Sequence, residues 1–275
     1  MSEYLLTNEL IYKSFIFGAQ NVIKEKNNLN AINVFPVPDG DTGSNLASMM
    51  TSIIERSRLG STSEETIQSI VDAAIVGARG NSGIIFAEYI YGFSLALTSD
   101  EIDEETFLIL AENASNYAYQ SIAQPVEGTI ITVMRAWAIA LKKFKNVASS
   151  FIELMTKAYD FVLLELAKTT ELLAVLKENK VVDAGAKGFV HFIEGFLRAL
   201  KGEEIVLELE KVDNVEQLHV DHLEDSTNRY CTEALVRGTH IDLKKLKEDL
   251  ATYGDSLVVA GSNRTVRNHI HSNRP

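Results

Sequence analysis

A single cysteine, Cys231, in 275 residues excludes an intrachain disulfide and suits a reducing compartment. Positive charge is also short: 26 Lys and Arg stand against 38 Asp and Glu, for a formal net charge of −12. That deficit argues against a nucleic-acid partner, because phosphate backbones are held by a surplus of Lys and Arg. No apolar stretch reaches the ~18 residues of a membrane span. The start, Met1-Ser2-Glu3-Tyr4, has no basic segment ahead of a hydrophobic run. A cytoplasmic protein without a membrane span is the expectation. Internal repeats and low-complexity tracts are missing too, as is the strand–helix alternation of a doubly wound nucleotide fold. Apolar residues are plentiful, at 46%, which is ample for a core.

From Thr7 to about Leu200 the apolar residues recur at helical spacing, as in Leu10, Ile11 and Phe15; Ile67, Ile70, Val71 and Ala74; Phe107, Leu110, Ala114 and Tyr117; and Phe151, Leu154, Ala158 and Phe161. Start signals fall at Thr7, Ser63 with Glu64 and Glu65, Ser99-Asp100, Ser149-Ser150, and Thr169-Thr170 with Glu171. The pattern predicts an all-α unit over residues 1–202, about eight or nine helices joined by short connections in an antiparallel bundle or closed barrel. The character changes after Lys201-Gly202. Residues 203–227 read as a strand (Glu203 to Val212) and an acidic linker. Residues 228–275 read as a small α/β unit: strands at Tyr230 to Val236, Ser256 to Ala260 and Thr265 to His271, and a helix at Leu243 to Tyr253. So few elements make a meagre core, and a partial domain is the expectation.

The most telling stretch is Pro36-Val-Pro-Asp39-Gly-Asp41-Thr-Gly-Ser-Asn45. Mg²⁺ takes oxygen ligands in near-octahedral geometry, usually one or two carboxylates with waters and substrate phosphates. Gly40 lets an irregular backbone turn Asp39 and Asp41 toward one point, while Pro36 and Pro38 keep the approach extended. Thr42, Gly43, Ser44 and Asn45 then open a helix, whose N-terminus suits phosphate. An ordinary helix-capping turn is the competing account. A calcium loop is ruled out, since Gly43 and Met50 stand where it requires ligands. An Asp-nucleophile phosphatase would need a buried strand ahead of Asp39, and Pro36 and Pro38 break the Val34-Phe35 run.

Three further loops share the grammar of glycine with a small polar residue at a helix start. They are Gly77-Ala-Arg79-Gly80-Asn81-Ser82-Gly83, with Ser82 as the expected cap of a helix from about Gly83; Glu127-Gly128-Thr129; and Val182-Asp183-Ala-Gly185-Ala-Lys-Gly188, ahead of a helix from Phe189. Arg79 is a candidate to stabilise charge on a transferring phosphoryl group, Thr129 to touch phosphate or ribose, and Asp183 to take a ribose hydroxyl or base edge. In an up-and-down barrel alternate connections share one end, so these loops are expected to form one rim around one nucleotide. Capping and solvent exposure are the plain alternatives. His269 and His271, two apart on an expected strand, face one side, and Cys231 on another strand completes a soft three-ligand zinc set, although the spacing is not that of a zinc finger.

With these strings assembled, the chain resembles the DhaL-like nucleotide-binding kinases, in the branch of the kinase subunit of bacterial fatty acid kinase. The resemblance rests on Asn33-Val-Phe-Pro-Val-Pro-Asp39-Gly-Asp41-Thr-Gly-Ser-Asn45, Gly77 to Gly83, Gly128-Thr129, Val182 to Gly188, Arg229-Tyr-Cys-Thr-Glu233 and His269-Ile-His-Ser-Asn273, and spans nearly the whole chain. It implies a helical barrel whose rim binds Mg·ATP, with Asp39, Asp41 and Asn33 toward magnesium. Thr42, Ser44, Asn45, Ser82 and Thr129 would lie near the phosphates, and Gly43, Gly80, Asn81, Gly83, Gly128, Asp183 and Gly185 complete the nucleotide set. It further implies zinc at Cys231, His269 and His271, a separate fatty-acid-binding carrier protein as partner, an acyl phosphate as product, and a homodimer through the middle domain. Full-length relatives carry a further carboxy-terminal domain, so autonomous turnover stays open. The competing readings are a zinc-stabilised, nucleotide-binding scaffold and a dihydroxyacetone-type kinase subunit.

Overall fold

The computed structural model describes residues 5–97, 100–203 and 230–274. The expected strand and acidic linker between 204 and 227 therefore lie outside the described residues. Ten helices come first: α1 (Asn8–Lys24), α2 (Lys26–Ala31), α3 (Thr42–Arg56), α4 (Ser63–Gly77), α5 (Gly80–Leu95), α6 (Glu104–Ser121), α7 (Ile130–Phe144), α8 (Phe151–Leu172), α9 (Ala174–Asn179) and α10 (Ala184–Leu200). Leaving aside the six-residue α2 and α9, the other eight pack in chain order, and α10 returns onto α1 to close the ring. The all-α barrel of about eight helices is thus what the chain forms.

The stripes read from the sequence turn inward. Ile11, Leu46, Ile53, Ile67, Ile70, Leu110, Leu154 and Ala158 are fully buried, each large side chain contributing ~1.5–3 kcal/mol of transfer free energy. Aromatic rings fill the barrel axis edge to face: Phe86 and Phe192 stand 5.1 Å apart, and Phe15 and Phe192 5.5 Å. Gly18 on α1 meets Gly195 on α10 because any side chain there would strike backbone; a Cβ on Gly195 would stand 2.4 Å from the Phe17 carbonyl.

Three expected starts are corrected. The start expected at Ser99-Asp100 falls at Asp103, which caps α6, while Asp100 Oδ1 accepts from Ser63 N at the start of α4. Thr169-Thr170-Glu171 opens no helix: α8 runs on to Leu172, with Thr169 Oγ1 donating to the Leu166 carbonyl. And α10 begins at Ala184, five residues before Phe189; Gly188 is inside it because Leu46 packs there, and a Cβ would stand 2.3 Å from Leu46 Cδ1.

After the gap come β1 (Tyr230–Arg237), α11 (Leu243–Leu250), β2 (Gly254–Gly261) and β3 (Thr265–Ser272), an antiparallel sheet in the order β1-β3-β2. Leu257, Val259, Val266 and Ile270 face α11, while Val258 and Ala260 join the barrel's core. The sheet is docked on the barrel by main chain as well: Ala123 N donates to the Leu257 carbonyl, and Gly261 N to Glu88 Oε2 on α5 at 2.9 Å. Among the described residues no helix is long and apolar enough to cross a membrane.

Candidate functional site

The two ends of the barrel differ in how their helices start. At one end begin α1, α4, α6 and α8, each capped by its own side chain: Thr7, Thr62, Asp103 and Ser150. At the other begin α3, α5, α7 and α10. Here Asp41, Arg79 and Thr129 occupy the cap positions without any side-chain cap bond; only Asp183 caps in the ordinary way. Helix N-termini that forgo their own caps depend on other elements for their first N–H groups, and their positive dipole ends face the same side.

At α3 the first N–H groups are served from upstream. Asn33 Oδ1 accepts from Thr42 N at 3.1 Å and from the Thr42 hydroxyl, and Asn30 Oδ1 accepts from Ser44 N at 3.0 Å. Asn33 Nδ2 donates to the Val37 carbonyl and to Asp39 Oδ1 at 3.1 Å. Asn33, 6% exposed, thus knits the whole loop from 33 to 42. Because the asparagines do the capping, the carboxylates of Asp39 and Asp41 stay at the surface. Partial desolvation, with the neighbouring charge of Asp41 next, pushes Asp39 up to about 6. A carboxylate crowded by a second carboxylate is relieved by a shared divalent cation, so this donor set fits magnesium. Gly40 takes φ +65°, the turn that brings them together.

The other starts close around this loop. Gly80 adopts φ +56°, and a Cβ on it would stand 2.3 Å from Asn45 Nδ2. Ser82 lies in the first turn of α5 instead of capping it, because the helix begins at Gly80; a Cβ on Gly185 would stand 3.0 Å from its Oγ and 3.4 Å from Ile130 Cβ. Asn81 Oδ1 is buried with no partner among the described residues, a polar atom left for a ligand. Asp183, 6% exposed, accepts from Ala186 N at 2.7 Å and is also bonded by the Ile130 N–H. It pins the starts of α7 and α10 together, so as placed its oxygens are spent on backbone; burial pushes it up to about 6 against those two bonds. Thr129 Oγ1 donates to the Val126 carbonyl, Gly128 lies under Leu172 and Leu173, and the Arg79 side chain is exposed. Gly43 is packed on α2, where a Cβ would stand 2.1 Å from the Lys26 carbonyl, and Gly83 lies against the Asn45 carbonyl.

The sheet brings a second cluster to the same end. Register pairs Cys231 with His271 and Glu233 with His269, and opposed residues share a face. One donor atom each from Cys231, His269 and His271 lies within 4.8 Å of the others. A sulfur and two imidazoles are donors of the kind zinc takes. Burial raises the Cys231 thiol, but hydrogen bonds and charge from His269 and His271 outweigh it and bring it down to about 7. Burial likewise lowers His269, and its bonds to Cys231 and Glu233 more than reverse this, raising it to about 9. Glu233, which sequence reading left without a role, reaches across to the barrel: its Oε1 accepts from Gly80 N at 2.5 Å. The residues are 153 apart in the chain, and nothing local signals the contact.

The family model described as the DAK2 domain matches residues 36–198, and the model for the middle domain of fatty acid kinase-like proteins matches residues 227–275. An uncharacterized protein of Staphylococcus aureus (strain USA300) is 36% identical over 284 residues, which covers 98% of this chain and 52% of that protein. One from strain MRSA252 matches equally. The chain spans about half the length of the curated relatives it matches. Among solved structures, the dihydroxyacetone kinase from C. freundii in complex with AMP-PNP and Mg²⁺ aligns with a TM-score of 0.52 at 18% identity, over 72% of this chain and 35% of that one. That likeness shows the fold, the closed helical barrel.

Proposed function

Since the chain belongs to the DAK2 domain family and continues into a middle segment like that of fatty acid kinase, we propose that it is the Mg·ATP-binding subunit of a cytoplasmic phosphotransferase acting on a fatty acid carboxylate. The observation that carries the reading is the asymmetry of the barrel ends: where Asp39 and Asp41 converge, three helices start without a side-chain cap from their own N-cap residue. The solved barrel of like fold is a complex with AMP-PNP and Mg²⁺. In this reading residues 1–202 are the nucleotide-binding domain and 228–275 belong to the middle domain.

Asp39 and Asp41 would hold magnesium, which when bound would neutralise charge on the phosphates. Thr42, Ser44, Asn45, Ser82 and Thr129 orient the phosphate chain, and Asn33 and Asp183 fix the loops that carry them. Arg79, exposed at the start of α5, is the cation available to the transferring group. A carboxylate oxygen of the fatty acid bonds to the γ-phosphorus as the bond to the β–γ bridging oxygen breaks, giving an acyl phosphate and ADP. The carboxylic acid is already ionised near neutral pH, so no general base is required, and catalysis rests on positioning and charge. The acceptor comes on a separate fatty-acid-binding protein, and zinc held by Cys231, His269 and His271 completes the reading.

The test supplies ATP, magnesium and a fatty-acid-loaded carrier protein and traps the product with hydroxylamine as hydroxamate. Hydroxamate that depends on all three components supports the reading. Tight ATP binding with none formed leaves the nucleotide-binding scaffold as the better account, and transfer to dihydroxyacetone instead would identify the other kinase type.

A further inference from the structure

We propose that Glu233 is a positioning residue that joins the Cys231–His269–His271 cluster to the nucleotide end of the barrel, so that the sheet sets the conformation of the α5 start. The inference rests on the Mg·ATP reading of that end. Glu233 sits at a crossing of contacts. Its Oε1 accepts from Gly80 N at 2.5 Å and lies 3.3 Å from His269 Nδ1, while its Oε2 pairs with Arg267 Nη2 at 3.1 Å. His269 in turn faces Cys231, with Nδ1 3.6 Å from Sγ, and lies tilted against His271 at 5.0 Å between ring centroids.

On the barrel side the line continues without a gap. Gly80 holds φ +56° with Asn45 packed against it, and Gly83, one turn on, rests on the Asn45 carbonyl. Asn45 is in the first turn of α3, and its N–H donates to the Asp41 carbonyl at 2.8 Å, at the end of the loop that carries Asp39 and Asp41. Arg79 supplies no side-chain cap to α5, so the carboxylate that satisfies the first N–H of this helix comes from β1. A helix start held by an anion from another element is fixed in place only as well as that anion is. Glu233 is fixed by His269 and Arg267, both on β3. With His269 Nδ1 beside Glu233, the ring nitrogen left for a metal is Nε2, 4.0 Å from Cys231 Sγ; a carboxylate on one ring nitrogen is the usual partner that orients a histidine whose other nitrogen binds metal.

The experiment measures Mg·AMP-PNP affinity by calorimetry for the unsubstituted chain, Glu233→Ala, Glu233→Gln, His269→Ala and the Glu233→Ala/His269→Ala pair, with circular dichroism confirming the fold. Glu233→Ala is expected to weaken binding about fivefold or more, the scale of a typical coupling between sites. Glu233→Gln, which still presents an oxygen to Gly80 N, should stay within about twofold by that scale. His269→Ala should weaken binding in the unsubstituted background and add nothing once Glu233 is alanine, the non-additivity of groups acting in one chain. If Glu233→Ala does not fold, Glu233→Asp keeps the charge on the sheet but withdraws it from Gly80, and should weaken binding likewise. Affinity unchanged in the Ala or Asp variant, or losses that multiply in the pair, would overturn the inference. No binding by the unsubstituted chain would instead remove the Mg·ATP reading on which it rests, and the inference with it.

Discussion

Replacing Glu88 by Gln should stabilise the protein at neutral pH and remove the share of its pH dependence that Glu88 contributes between pH 5 and 8. Glu88 is on α5, only 7% exposed, where the sheet docks on the barrel, and its Oε2 accepts from Gly261 N. Burial pushes its carboxyl up to about 8 from the ordinary 4.5, against the pull of the Gly261 N–H and of Lys247. As pH rises through 4.5 the unfolded chain ionises this group while the folded chain does not. Its contribution to stability is therefore fully present below pH 4.5 and is lost as pH rises toward 8. At about 1.4 kcal/mol per unit, the loss accumulated by pH 7 is roughly 3 kcal/mol, an upper figure because real interiors relax around buried charge. Gln keeps an acceptor for Gly261 N and has nothing to ionise. Urea titrations at pH 5, 6, 7 and 8, followed by the fluorescence of the buried Trp137, should show the variant gaining on the unsubstituted chain as pH rises, by about 2–3 kcal/mol at pH 7. In melting temperature the gain is on the order of 5–10 °C. Parallel stability curves for the two chains, or a variant less stable at pH 7, would refute the reasoning.

Gly80→Ala puts a side chain at φ +56° against the Asn45 amide; a loss of about 1–3 kcal/mol is expected in urea unfolding, together with weaker nucleotide binding in calorimetry. Asp183→Ala removes the pin between α7 and α10, which should lower stability by roughly 1–2 kcal/mol on the scale of a lost cap; an unchanged melting temperature would contradict that role. Cys231→Ser should abolish zinc uptake measured by atomic emission after dialysis, and equal zinc in both proteins would count against the Cys231–His269–His271 set.

The barrel was readable because most of its long helices bury one stripe, as α1, α3, α4, α6 and α8 do, and period and stripe are local properties; α5, buried without a break from Ile84 to Ile90, is the exception. The small sheet was readable for the same reason: strands expected at Tyr230, Ser256 and Thr265 form within two residues of those starts. Errors arose where one residue type serves two purposes. Thr169-Thr170-Glu171 has the composition of a helix start, yet a threonine hydroxyl can equally bond the carbonyl three residues back inside a continuing helix. Gly185 and Gly188 look like a loop, but they are helical positions where Ser82 and Leu46 press close. At the site, the acidic pair was legible from its own spacing. The work of Asn30, which serves Ser44 from α2, and of Glu233, which serves Gly80 from β1, was not, because both contacts are made only once distant elements have docked.

The central claim, that Asp39 and Asp41 make this end of the barrel a magnesium–nucleotide site, is tested most directly by calorimetric titration of ATP with and without magnesium, into the unsubstituted chain and into Asp39→Ala and Asp41→Ala. Binding that requires magnesium, and that either substitution abolishes while the melting temperature holds, is the predicted result. ATP affinity that ignores both magnesium and the two carboxylates would contradict it.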